Sequence, residues 1–235
     1  SGIIPDIIKR EQLYQGDLFT EEYKIKSCEN SALSVWAKFS KNVSKPTQKM
    51  PFRAFLADSE HVDFKIFHFI RNIISKDQAF EDNYRDEITL DLKNTERRVL
   101  KDAMRLIQFV RFRKTKDNIY FAPVEPDFDV VKLTAEHFED RFKDQKWIIY
   151  DMKRAHGIYY DLKETCEIKL QTKAVDESNG SIDSSVLMEN EVLYEKLWKS
   201  YYQNTTTKER MNLKRHMQFL PKKFWKYLPE KNNIL

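Results

Sequence analysis

FVRFRKTKDNIYFAPVEPDFDVVKLTAEHFEDRFKDQKWIIYDMKRAHGIYYDLKETCEIKL, residues 109–170, turns the chain from helical to extended periodicity and so decides its fold. QFVRFRK and NIYFAPVEP flank the polar turn KTKDN, and both are rich in the aromatic and β-branched residues that favour strands. Thr134 is placed to cap a short helix, AEHFEDRF, with Glu136 near its start, where the helix dipole favours an anion. WIIYD and GIYYDL make a second strand pair joined by MKRAHG, with Gly157 read as the turn glycine. ETCEIKLQ adds an edge strand. The order ββαββ predicts a small antiparallel sheet with a helix on one face.

On the amino-terminal side the pattern is helical. Ala32, Val35, Trp36 and Phe39 recur at three and four and predict one face on a core, before Pro46 and Pro51 break the chain. Val62, Ile66, Phe69, Ile70 and Ile73 mark a helix over residues 60–76. Val99, Leu100, Ala103, Leu106 and Ile107 mark another, which Asn94 is expected to cap. Residues 1–30 are mixed, with apolar groups around Ile7, Leu13, Leu18 and Phe19. On the carboxy-terminal side, the small polar residues of 171–188 read as a mobile loop or linker. Helical pattern resumes over 189–202 with Val192, Leu193, Leu197 and Trp198, and again in KERMNLKRHMQF up to Pro221, before KKFWKYLPE closes the chain. The expected class is α+β. An N-terminal helical bundle (1–108) packs with the sheet region (109–170), followed by a loop (171–188) and a basic-aromatic helical segment (189–235), all in one compact unit.

Composition excludes several functions. Gly2, Gly16, Gly157 and Gly180 are the only glycines, so no Walker loop, GxGxxG or GxSxG can form. No run of 18 apolar residues exists, and SGIIPDIIKR lacks a signal-peptide pattern; a cytoplasmic protein without membrane attachment is expected. Cys28 and Cys166 show no pairing pattern and are read as buried free thiols.

Charge is segregated. Residues 196–235 carry ten Lys and Arg against two acids, while the preceding residues are net acidic. Trp198, Tyr201, Tyr202, Phe219, Phe224, Trp225 and Tyr227 lie among those cations. Positive charge interleaved with rings suits a polyanion, most naturally nucleic acid. Arg210, Lys214, Arg215, Lys222 and Lys223 are the expected phosphate contacts, with Trp225 and Tyr227 as candidate stacking rings. The competing reading docks the rings on the core and leaves the lysines solvated.

Three other constellations carry chemistry. Asp151, Arg154 and His156 cluster in the turn between two strands, where a carboxylate, guanidinium and imidazole manage protons, grip a phosphate or simply form a structural ion pair. His137 and Arg141, four apart on one helix, with Arg111 and Arg113 on a strand, suggest an anion pocket; the alternative is a hydrogen-bonded helix histidine. The candidate catalytic residues are therefore Asp151, Arg154, His137 and Arg111. His61 and His68 have no third ligand, and Glu125, Asp127 and Asp129, which could meet a divalent cation, read as a solvated acidic loop, so no metal and no cofactor are expected.

FVRFRK…IYFAPVEPDFDVVKLTAEHFEDRF…WIIYDMKRAHGIYYD, LWKSYY and KERMNLKRHMQFLPKKFWKYLPE together resemble a bacterial family of uncharacterised domains linked to DNA metabolism. The likeness covers roughly residues 100–231. It implies a setting in DNA repair or modification, beside a radical SAM protein or a uracil-DNA glycosylase, which would be the partners. It slightly strengthens Asp151 and Arg154 and weakens a proton-transfer role for His156. Members of that family begin with a short strand and helix that these residues do not show, so a segment of that kind is expected to be missing. Three functions follow as expectations: a DNA-binding protein, an adaptor for one of those partners, or an enzyme acting on a nucleobase around Asp151 and Arg154.

Overall fold

The computed structural model describes residues 5, 7–8, 22–59, 61–75, 81–170, 182–183, 185–205 and 212–231. The chain divides into two compact units, 1–101 and 102–235, with the division falling inside one long helix. The architecture is mixed α+β.

The first unit is helical. α1 (Glu29–Lys41), α2 (Lys45–Phe55), α3 (Val62–Ser75) and the first part of α4 (Glu87–Phe109) supply a core of Phe39, Met50, Ala54, Val62, Phe69, Ile73 and Leu92. Two prolines expected to break the chain lie inside α2. Pro46 occupies the first turn, where its missing N–H is not needed, and Pro51 is buried within the helix. Of the face expected on α1 only Phe39 is buried; Val35 and Trp36 are each close to half exposed. Asn94 does not cap α4, which begins earlier. Asp86 takes that role, its carboxylate accepting from Thr89 N at 2.9 Å and Thr89 Oγ1 at 2.8 Å.

The second unit is built on five strands in the order β1 (Arg113–Lys114), β2 (Tyr120–Val124), β3 (Trp147–Asp151), β4 (His156–Tyr160) and β5 (Thr165–Ile168). The sheet is mixed rather than antiparallel, because β2 and β3 run parallel. Residues 125–146 carry the chain through a 3₁₀ turn (Val131–Thr134) and α5 (Ala135–Arg141) back to the end of the sheet where β2 began, a crossover long enough for β3 to pair with β2 in parallel. Alternation along β3 sends Trp147, Ile149 and Asp151 to one face. Trp147 and Ile149 are fully buried there, and Phe138 of α5 lies 5.9 Å from the Trp147 ring. The opposite face buries Tyr150 with Phe121, Ile182 and Leu187. Ile182 and Leu187 belong to the stretch read as a mobile loop; its described end is pinned to β1 by Met188 N donating to Lys114 O at 3.0 Å. Residues 171–181 and 184 lie outside the described set.

Several local details differ from what the sequence predicts. Thr134 Oγ1 bonds back to Val131 O at 2.7 Å and makes no cap bond. Gly157 is a strand residue facing Tyr150, where a Cβ would collide with Ile149 O and stand 2.9 Å from Tyr150 Cα. Ala155 instead takes the positive φ of the turn, 53°. Cys28 and Cys166 are both exposed, not buried. The carboxy-terminal part comprises α6 (Glu191–Thr205), α7 (Leu213–Phe219) and a 3₁₀ segment (Lys222–Tyr227), and Leu220, Phe224, Trp225 and Leu228 pack with Phe109. No described helix is long and apolar enough to cross a membrane.

Candidate functional site

Polar side chains concentrate where the parallel strands end. Register places Asp151, the last residue of β3, between Val124 of β2 and His156 of β4. Asp151 is fully buried. Its Oδ1 accepts from Lys153 N at 2.9 Å and Arg154 N at 3.2 Å, and its Oδ2 accepts from Arg154 Nη1 at 2.8 Å. The same guanidinium reaches the loop after β2, donating from Nη2 to Asp127 O at 2.8 Å and from Nη1 to Pro126 O at 3.3 Å. Arg154 thus staples the β3–β4 turn to the 125–129 loop. Burial pushes the Asp151 carboxyl above the usual range despite the opposing hydrogen bond and charge of Arg154.

Carboxylates hold the same loop from its other side. Asp102, buried on α4, accepts from Asp127 N at 2.7 Å and Phe128 N at 3.1 Å. Lys223 Nζ lies 2.6 Å from Asp127 Oδ2 and 3.5 Å from Asp102 Oδ1. Glu125 pairs with Lys226 and accepts from Tyr227 Oη at 3.0 Å. Burial opposes ionisation of Glu125, but the bonds from Lys226 and Tyr227 prevail and hold its carboxyl below the ordinary range. Tyr227 is correspondingly harder to ionise, first by burial and then by the Glu125 charge. Beyond this, His156 Nε2 is 3.2 Å from Asp129 Oδ1, His156 Nδ1 is 3.7 Å from Glu167 Oε1, and Glu167 pairs with Lys132 at 2.7 Å.

These contacts sort the residues singled out in the sequence. Asp151, Arg154 and His156 come together, but Arg154 is consumed by internal acceptors. Arg111 is elsewhere, bonded through Nη2 to Glu230 at 3.0 Å, and Glu230 also accepts from Trp198 Nε1 at 2.9 Å. His137 is exposed on α5 against Phe138. Among the described residues neither Arg111 nor His137 has a bond or ion pair with Asp151 or Arg154, so the four do not form one pocket. Trp225 and Tyr227 are 5% and 7% exposed, which removes them as stacking rings. Lys223 is clasped by two carboxylates and is not a free cation. Arg210 lies outside the described residues. Lys214, Arg215 and Lys222 are exposed, with Arg215 over the Phe219 ring at 5.9 Å. Lys196 of α6 is also exposed, and none of these four pairs with a carboxylate among the described residues.

Asp102 was absent from the sequence reading, although a signal existed. It sits in the apolar stripe of α4 with Val99, Ala103 and Leu106, and an acid on a buried stripe requires a partner. Asp129, set aside with the acidic loop, parts from its neighbours. Glu125 and Asp127 turn to lysines, while Asp129, His156 and Asp151 each place one donor atom within 4.8 Å of the others.

The fold and this hub define a mixed-sheet α+β domain in which a polar network at the strand ends locks one loop in place. The chain matches the model of a domain of unknown function, DUF4130, over residues 60–230, and belongs to that family. No curated protein and no solved structure matches it.

Proposed function

We propose that this protein binds nucleic acid in DNA metabolism, using cations and rings displayed by α6, α7 and the start of the 3₁₀ segment. The observation that carries the reading is the set of exposed cations Lys196, Lys214, Arg215 and Lys222, free of carboxylate partners among the described residues and accompanied by exposed rings. Tyr194, Tyr201 and Phe219 are 59%, 60% and 65% exposed. Trp198 stacks on Tyr201 at 5.7 Å while still 40% exposed. Phosphates are met by cations that release counterions, and flat exposed rings receive bases at about 1–3 kcal/mol each. The contact set is narrower than the charge count of the segment suggests, because Lys223, Lys226, Lys199 and Lys231 are engaged internally. Titration of a fluorescent single-stranded oligonucleotide by anisotropy, at two salt concentrations, tests the reading. Affinity should fall steeply with salt; affinity indifferent to salt rejects it.

A second reading rests on α6 itself. The helix buries none of its residues, and Val192, Leu193 and Leu197 join its rings in the open. Such a face suits a protein partner, and the family likeness supplies two: a radical SAM protein or a uracil-DNA glycosylase. Co-purification with either one, abolished by Leu193→Asp and Leu197→Asp, would favour the adaptor over the nucleic-acid binder.

A further inference from the structure

We infer that Asp129, Asp151 and His156 form a binding site for one divalent first-row transition-metal ion. This site is separate from the surface proposed for nucleic acid and does not depend on that reading. The three residues reach one point from three segments: the loop after β2, the end of β3 and the start of β4. The register Asp151↔His156 fixes two of them as cross-strand neighbours. Their donor atoms all lie within 4.8 Å of one another. A metal with N and O ligands at roughly 2.0–2.2 Å draws opposed ligands to about 4 Å, so small side-chain shifts close the site.

Unmet hydrogen-bonding capacity distinguishes this cluster from an ordinary ion pair. His156 is 8% exposed, yet its Nδ1 is buried without a hydrogen-bond partner. Asp129 Oδ1 is also buried and has no hydrogen bond, although His156 Nε2 stands 3.2 Å away. The two are close but misaligned. A buried acceptor without a donor is costly, and native structures seldom leave one so. A cation between Asp129 Oδ1, His156 Nε2 and Asp151 would satisfy the orphaned Asp129 oxygen and leave Nδ1 as the protonated nitrogen, on the side of Glu167.

The surroundings supply what ligands need around them. Metal-bound imidazoles direct their second ring N–H at a carboxylate, and Glu167 Oε1 lies 3.7 Å from His156 Nδ1. Asp151 is oriented by two backbone N–H groups on Oδ1 and by Arg154 on Oδ2, and Oδ2, which accepts one bond, retains a lone pair for a metal. Two carboxylates and one imidazole, with no thiolate, select ions such as Mn²⁺, Fe²⁺, Co²⁺ or Zn²⁺ over Mg²⁺ and Ca²⁺. Arg154 opposes the ion's charge, but Asp129 and Asp151 together outweigh it, and Lys132 is occupied by Glu167.

The test uses the full, tag-free chain after chelator treatment and dialysis. Titration with Co²⁺ is followed by visible absorption, and stoichiometry by calorimetry. One ion per chain is expected. Asp129→Asn, isosteric and partly exposed, and His156→Gln should each weaken binding by at least about tenfold, with Glu167→Gln weakening it less. Asp117→Asn, on the exposed β1–β2 turn, should leave binding unchanged. Circular dichroism establishes that each variant is folded. Failure of the unaltered protein to take up stoichiometric Co²⁺ overturns the inference, leaving a histidine held only by its carboxylates. Unchanged affinity in folded Asp129→Asn overturns it equally.

Discussion

Replacing Arg154 by Met keeps most of its stem and removes the guanidinium that joins the β3–β4 turn to the 125–129 loop. Three bonds vanish: one to Asp151 Oδ2 and two to the carbonyls of Pro126 and Asp127. The decisive loss is the first, because Asp151 is 0% exposed and keeps only two backbone donors. Breaking a buried pair from one side costs about 3–5 kcal/mol, which for a chain of this size lowers Tm by roughly 6–20 °C. The pH dependence adds a sign. The Asp151 carboxyl is raised above its ordinary 3.8, with burial the largest cause and Arg154 opposing it. A raised carboxyl binds protons more tightly in the folded state, so its contribution is full below the unfolded value and lost as pH rises through the folded one. Without Arg154 the carboxyl rises further. The cost of the substitution should therefore be greatest near neutrality and shrink on acidification. Urea unfolding at pH 7 and pH 5, followed by tryptophan fluorescence, measures both effects. Asp151→Asn combined with Arg154→Met should recover about 1 kcal/mol or more of the single-variant loss, since no buried charge is then stranded. A single variant within about 1 kcal/mol of the parent, or one whose deficit deepens at pH 5, would refute the reasoning.

Gly157→Ala forces a methyl group against Ile149 O and Tyr150 Cα, both backbone and unable to yield. A loss of about 1–3 kcal/mol is expected, read as a lower Tm. Both cysteines are exposed, so two thiols per folded chain should react with Ellman's reagent. Cys28 should react faster, because hydrogen bonds with Ser31 lower its thiol from the ordinary value; Cys28→Ser removes the fast phase. Glu230→Ala strands Arg111 and releases the Trp198 indole. Hydrogen exchange of α6 amides should accelerate while β3 amides stay protected.

Elements with a strong local period were legible in the sequence. The α3 helix, the strands YFAPV and WIIYD, and α5 all follow from spacing that tertiary structure did not override. Partnership was harder to read. The parallel pairing of β2 and β3 depends on where a crossover returns, which no local pattern encodes. Gly157 illustrates the difficulty, since a glycine after MKRAH looks like a turn residue and is instead demanded by a carbonyl across the sheet. At the hub, Asp151, Arg154 and His156 stood close in sequence and were found together. Asp102 and Asp129 joined them across 49 and 22 residues before Asp151, through a helix and a loop whose approach depends on packing. In the basic segment, charge alone did not distinguish cations meeting water from Lys223 and Lys226, which meet the chain's own acids.

The salt dependence of oligonucleotide binding bears most directly on the proposed function. Each phosphate contact on a single strand contributes about 0.7 to the slope of log K against log salt. Changing Lys196, Lys214, Arg215 and Lys222 together to Gln should flatten that slope by up to about 3 and weaken binding, whereas Lys226→Gln, already paired with Glu125, should leave it unchanged. A slope that survives the fourfold change, or one that collapses with Lys226→Gln alone, would contradict the assignment of nucleic-acid binding to the exposed cations of α6, α7 and the following turn.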